Sequence, residues 1–180
     1  MTIIKNLLYY LTTIGIFILL KFGYTIANND NLIFLLKPTN ILVGFLTGSN
    51  SIYSTENGYF HQELNILIEK SCSGFNFWLL SFLMLTFLLL KYFKNNLHKT
   101  MTIPFSLLAA YLVTIFVNAS RIFVSIIIQN QSNNFLSEKH QLILHESIGI
   151  ITNLVFLIVV YYLTEKFLIN KKNNAKLTKS

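Results

Sequence analysis

The sequence predicts an all-α polytopic membrane protein: about four transmembrane helices, with a small extracytoplasmic interfacial helix and a hairpin-like segment between the first two. Three observations predict it. Charged residues make up only 12% of the 180-residue chain, against roughly 25% in an ordinary soluble domain. Four apolar runs approach the length of about 20 residues that crosses a hydrocarbon core as helix. Lysines gather at alternate ends of those runs, as they do in cytoplasmic loops. The whole chain, 1–180, reads as a single membrane-embedded domain.

The first span covers roughly 3–20, within "MTIIKNLLYYLTTIGIFILLK". A cleaved signal peptide needs a short apolar core and a small-residue cleavage site soon after it. This run is longer and only Ala27 follows as a poor candidate, so it reads as a retained span. Next, "NLIFLLKPTNILVGFLTG" is apolar but broken by Lys37 and Pro38. Each half is too short to cross, which predicts an interfacial or re-entrant element. "SIYSTENGYFHQELNILIE" then places Asn57-Gly58 between Tyr-, Phe- and Ile-bearing flanks, a hairpin signal.

The remaining spans are roughly 74–90, 101–121 and 145–164. Pro104 is expected in the first turn of the third, where a missing N–H does little harm. That helix continues through "IFVSIII", beyond the bilayer. The basic tail 167–180, ending in "NKKNNAKLTKS", reads as disordered.

Lys5, Lys91, Lys94, Lys99, Lys166, Lys171, Lys172, Lys176 and Lys179 all fall on one side if the chain crosses four times, and that side is the cytoplasm. Asp30, Glu56, Glu63, Glu69 and Glu138 then lie outside, whereas a fifth crossing at 32–47 would destroy the pattern. The net charge of +7 is therefore topological and not a nucleic-acid footprint. A single cysteine, Cys72, cannot form an internal disulfide.

Depth can be measured from the cytoplasmic lysines at 1.5 Å per helical residue. Cys72 falls about 28 Å above Lys91, Arg121 about 33 Å above Lys99 and His145 about 31 Å above Lys166. The hydrocarbon core is roughly 30 Å thick, so a thiol, a guanidinium and an imidazole reach one layer at its outer face. Singly, each has a plainer reading. A lone cysteine is more often a small buried hydrophobe, and a lone histidine at a helix entrance a cap or a solvated side chain. Arg121 is harder to dismiss, because an arginine within "VNASRIFVSI" costs several kcal/mol unless paired or wet. Asn118, three positions earlier on the same face, is placed to orient it. Ser125 on that face reads as a small packing residue.

Together the three suit thiol chemistry. His145 would take the thiol proton and return it to a leaving amine. Arg121 would hold a developing oxyanion or a substrate carbonyl. Gly149, one turn from His145, would admit a close neighbouring helix. His61 is the rival base, although no helix holds it at the right depth; His98 lies on the cytoplasmic side. A zinc site drawing on Cys72, His61, His140, His145 and Glu69 competes, but no CxxC or HxxxH spacing appears. No metal and no cofactor is expected.

Three motifs, "ExxCSG" from Glu69 through Cys72 to Gly74, "NxxR" from Asn118 to Arg121 and "HxxxG" from His145 to Gly149, resemble the exosortase/archaeosortase family in order, spacing and helix placement. The similarity covers roughly 32–165, and the compact length is most similar to the type called exosortase K. The resemblance implies a multi-pass membrane cysteine transpeptidase. It implies Cys72 as nucleophile, Arg121 as the family's arginine and His145 as base, with Glu69, Gly74, Asn118 and Gly149 in support. The implied substrates are secreted proteins ending in a short motif, a transmembrane helix and a basic cluster, cut at the outer face of the bacterial cytoplasmic membrane. Many relatives have about eight spans, and the helices that bind substrate in those have no counterpart here.

Two readings from other classes remain at this stage. One is a non-catalytic membrane subunit or small transporter, with Arg121 as a substrate-binding charge. The other is a glutamate-type membrane protease, for which Glu146 and Glu165 are too isolated.

Overall fold

The computed structural model describes the backbone at 2–93, 95–132 and 138–177, and the side chains at 6–93, 95–128 and 147–174. The helices are α1 (Thr2–Ile26), α2 (Ile33–Thr47), α3 (Phe75–Tyr92), α4 (Asn96–Ser132) and α5 (Glu138–Leu177). Between α2 and α3 stand β1 (Ile52–Ser54), β2 (Gly58–His61) and β3 (Ile66–Ile68). Four helices, α1, α3, α4 and α5, are long and apolar enough to cross a membrane. At 15 residues α2 is not, since its length is about 22 Å. The chain is a multi-pass membrane protein.

α3 is the centre of the bundle, packing against α1, α4 and α5, while α2 packs on α4. α3 is buried on more than one face, with Phe75, Trp78, Leu79, Phe82 and Leu85 along one side and Phe77, Ser81 and Leu88 along the other. α1 and α5 are peripheral and turn apolar residues outward, among them Leu8, Leu19 and Phe22 on α1 and Ile150, Leu154 and Ile158 on α5. Such continuous apolar exposure would be a liability in water and suits a lipid surface.

α2 differs from the sequence expectation. It runs through Lys37 and Pro38 as one continuous helix where two broken halves were expected. Proline at position 38 removes the N–H that would reach the Phe34 carbonyl four residues back. That carbonyl accepts instead from the Tyr111 hydroxyl on α4, at 2.8 Å. The orphan group is thus satisfied across the helix interface, and the helix continues to Gly48, whose φ of +68 ends it in a left-handed cap.

The hairpin forms, with Tyr53 opposite Tyr59 and Ser54 opposite Gly58. A third strand extends it: Tyr59 pairs Ile68, Phe60 pairs Leu67 and His61 pairs Ile66, all antiparallel. Gly58 has φ +79, and a Cβ there would stand 2.5 Å from the Ile68 carbonyl oxygen, so the turn requires glycine.

Two further expectations are corrected. α4 begins at Asn96, so Pro104 sits in the helix interior and not in its first turn. The basic tail is helical as far as Leu177 and not disordered. Extending an existing helix costs far less than nucleating one, and lysines are favourable at its negative C-terminal end.

Candidate active site

Cys72 lies where the small sheet feeds into the membrane bundle. From β3 the chain passes through an extended Glu69 into a 3-10 turn, Lys70–Cys72, then Ser73 and Gly74, and enters α3 at Phe75. Two backbone bonds close the turn, Cys72 N–H to the Glu69 carbonyl at 2.8 Å and Ser73 N–H to the Lys70 carbonyl at 3.1 Å.

Lys70 fixes the start of this turn. Its backbone N–H donates to Asn29 Oδ1 at 2.8 Å, and its ammonium donates to the Ala27 and Thr25 carbonyls at 2.7 and 3.2 Å. A cation at the carbonyl end of α1 is also favoured by the helix dipole. The Tyr24 hydroxyl donates to the Lys70 carbonyl at 3.2 Å, and the Tyr24 ring faces the ammonium. Asn29 is buried and spans to the β1–β2 turn, donating to the Glu56 carbonyl at 2.9 Å. Lys70, Tyr24 and Asn29 were missed in the sequence. The one available signal was a lysine two positions before the cysteine.

The far end of the turn meets α4. Asn118 is 2% exposed, and its Nδ2 donates to the Cys72 carbonyl at 2.6 Å. Asn118 therefore engages the cysteine loop, where the sequence suggested that it orients Arg121. Gly74 makes the approach possible. Its φ is +72, and a Cβ there would stand 3.0 Å from Asn118 Cγ and 3.1 Å from Thr114 Cγ2. The Cys72 side chain is half-buried. Ser71 Oγ lies 3.7 Å from Cys72 Sγ and donates to Glu69 Oε1 at 2.9 Å. A polar cleft of about 530 Å³ opens beside the turn, lined in part by Glu56, Glu69, Lys70 and Ser71.

One turn beyond Asn118, half-buried Arg121 crosses to α5. Its Cδ and Nη1 both lie 3.6 Å from where a Cβ on Gly149 would stand. The arginine stem and fork thus pack over the Gly149 position on α5, one ordinary contact distance beyond where a Cβ would stand. His145 precedes Gly149 by one turn on the same helix, on the same face; its side chain lies outside the described residues. α4 therefore touches both partners, Cys72 through Asn118 and the Gly149 turn of α5 through Arg121. Ser125 is buried and packs as a small residue.

His61 has a different setting. It is fully buried, with Nδ1 2.8 Å from Ser49 Oγ and Nε2 2.7 Å from Asn40 Oδ1 on α2. It sits on a strand and not on a helix, and both ring nitrogens are engaged in tying the sheet to α2 and the residues just after it. Burial lowers its pKa from the ordinary 6.5, against a smaller opposing pull from Glu63. His61 also lies at the end of β2 away from Tyr59, the residue paired with Ile68 just before the cysteine loop. Glu165 is engaged at the other end of α3 from Cys72, 3.5 Å from the Lys91 ammonium. Among the described residues no three of His, Cys, Asp and Glu come together as a metal-ligand set. The side chains of His140, His145 and Glu146 lie outside those residues.

Comparison with curated proteins and with solved structures gave no match. The family profile described as transmembrane exosortase (Exosortase_EpsH) matches residues 2–162, from the start of α1 to well inside α5. That span takes in all three motifs and every helix of the bundle, and the chain belongs to the transmembrane exosortase family of membrane transpeptidases.

Proposed function

We propose that the protein is a cysteine transpeptidase or peptidase that cleaves C-terminal sorting signals of secreted proteins through a thioacyl intermediate on Cys72. The observation that carries this reading is the double engagement of α4, which bonds the cysteine loop through Asn118 and packs Arg121 against the Gly149 turn of α5. One helix thereby links the elements that bear the thiol, the guanidinium and the imidazole.

In the proposed reaction His145 accepts the Cys72 thiol proton, and the thiolate attacks the scissile carbonyl. A carbon–sulfur bond forms while the oxygen gains negative charge, which the Arg121 fork stabilises. The carbon–nitrogen bond then breaks, and His145 returns its proton to the departing amine. Water or an acceptor amine completes the cycle by attacking the thioester and releasing the thiol.

The substrate proposed is a secreted protein ending in a short motif, a transmembrane helix and a basic cluster. A helix of that kind presents its preceding motif just above the outer face, the depth at which Cys72, Arg121 and His145 are placed by counting from the cytoplasmic lysines. The proposed location is the bacterial cytoplasmic membrane, with the site facing outward and the lysine-rich ends in the cytoplasm. Processing of such a substrate in membranes, with Cys72→Ala and Cys72→Ser beside the parent, tests the reading. Both variants should be inactive; a subunit or transporter that uses Arg121 only as a binding charge would tolerate the serine.

A further inference from the structure

We propose that Asn118 is a positioning residue for Cys72, and that α4 acts as the ruler setting the nucleophile at a fixed offset from Arg121. The proposal rests on the thiol-transpeptidase reading above and adds a residue that touches neither substrate nor leaving group.

A buried asparagine is an expensive choice for mere filling. Its Oδ1 is buried and has no hydrogen-bond partner among the described residues, a state that carries the desolvation penalty of an unmade bond. Only the donor half is used, in the 2.6 Å bond to the Cys72 carbonyl. An apolar residue of similar volume would pack there without that cost. The donor is therefore what the site requires.

The target of that donor is also specific. Cys72 is the last residue of its 3-10 turn, and its carbonyl belongs to the same residue as the thiol. Lys70 holds the first residue of the turn through Asn29, Tyr24 and the end of α1. Asn118 holds the last. A turn pinned at both ends cannot swing, so the Cα–Cβ direction of Cys72 is set. Gly74 shows how close this contact is, since even a methyl group there would press on Asn118 Cγ at 3.0 Å.

Asn118 and Arg121 are three residues apart on α4, which is about 4.5 Å of rise on one face. Whatever α4 does, the tether of the nucleophile and the proposed oxyanion group move together. That gives the NxxR spacing a mechanical reason. A misplacement of about 1 Å at a reacting centre can cost on the order of 100-fold in rate.

The test exploits the single cysteine, because carbonyl-13C cysteine labels one backbone carbonyl in the whole chain. Asn118→Leu fills the space without a donor, and Asn118→Ala removes it. In the full-length protein in lipid, both should move the labelled amide band to higher frequency. With a sorting-signal substrate, kcat should fall on the order of 100-fold while KM stays within about two-fold. A shifted band with unchanged kcat overturns the proposal, as does an unmoved band. So does a raised KM at constant kcat, which would mean contact with substrate. Failure of both variants to fold would assign Asn118 to folding and count against it equally. Processing by Cys72→Ala would instead end the thiol reading, an outcome separate from any result at Asn118.

Discussion

At the scale of single residues, the proposed chemistry divides between groups that react and groups that hold. In the proposed reaction Cys72 and His145 act as one unit, so removing either should cost about as much as removing both. Cys72→Ala is expected to abolish processing, and His145→Ala to leave a trace that rises with pH as more thiol ionises. A pH-independent trace would contradict a base role for His145. Arg121→Lys keeps the charge and loses the planar fork. It should fold and insert yet lose most activity, read as a fall in kcat for a sorting-signal substrate. His61 predicts a stability effect instead. Its pKa is lowered in the fold, so below the ordinary value of 6.5 the unfolded chain binds the extra proton more readily. Stability is then fully present above that pH and is lost as pH falls through the lowered value. Thermal unfolding of the parent should show this loss, and His61→Phe should remove the dependence while leaving the alkylation rate of Cys72 unchanged. The proposed reacting residues were legible because charge, thiol and depth are properties of the sequence. The holding residues were not. Asn118 was read toward Arg121, three residues away, whereas its bond reaches across 46 positions to Cys72. Short-range spacing is visible in a sequence and a carbonyl on another helix is not.

At the scale of elements, the same contrast recurs. The four spans were legible from length and hydropathy, and the β1–β2 turn from Asn57-Gly58. β3 was not, being three residues long with no turn signal of its own. α2 was misread at Pro38 because the hydroxyl that completes it comes from Tyr111, 77 positions along the chain. Tyr111→Phe tests that explanation. It removes the partner of the Phe34 carbonyl and should lower stability by about 1 kcal/mol, measured by denaturant unfolding in mixed micelles. A change within error would mean that the proline kink is satisfied some other way. The contact between α4 and α5 makes a graded prediction. A methyl at 149 would meet Arg121 at an ordinary 3.6 Å, so Gly149→Ala should be nearly neutral. Gly149→Leu needs the space that the arginine occupies, and should reduce activity as severely as Arg121→Lys.

At the scale of the whole molecule, α3 forms the buried core, α1 and α5 face lipid, and the sheet with α2 caps one end of the bundle. In the proposed orientation the lysine-rich opposite end is cytoplasmic, and that cap is extracytoplasmic. In a Cys72→Ser background, an impermeant thiol reagent added from outside should label Ser132→Cys and not Asn95→Cys. The reverse pattern would place the cysteine loop in the cytoplasm and remove its access to secreted substrates. The most direct measurement concerns the covalent step itself. A sorting-signal substrate incubated with the protein in membranes and quenched by denaturation should leave an acyl adduct, located by mass spectrometry. The adduct should map to Cys72, accumulate when acceptor is withheld, and be absent from Cys72→Ala. An adduct on any other residue, or processing without one at Cys72, would contradict the assignment of Cys72 as the nucleophile.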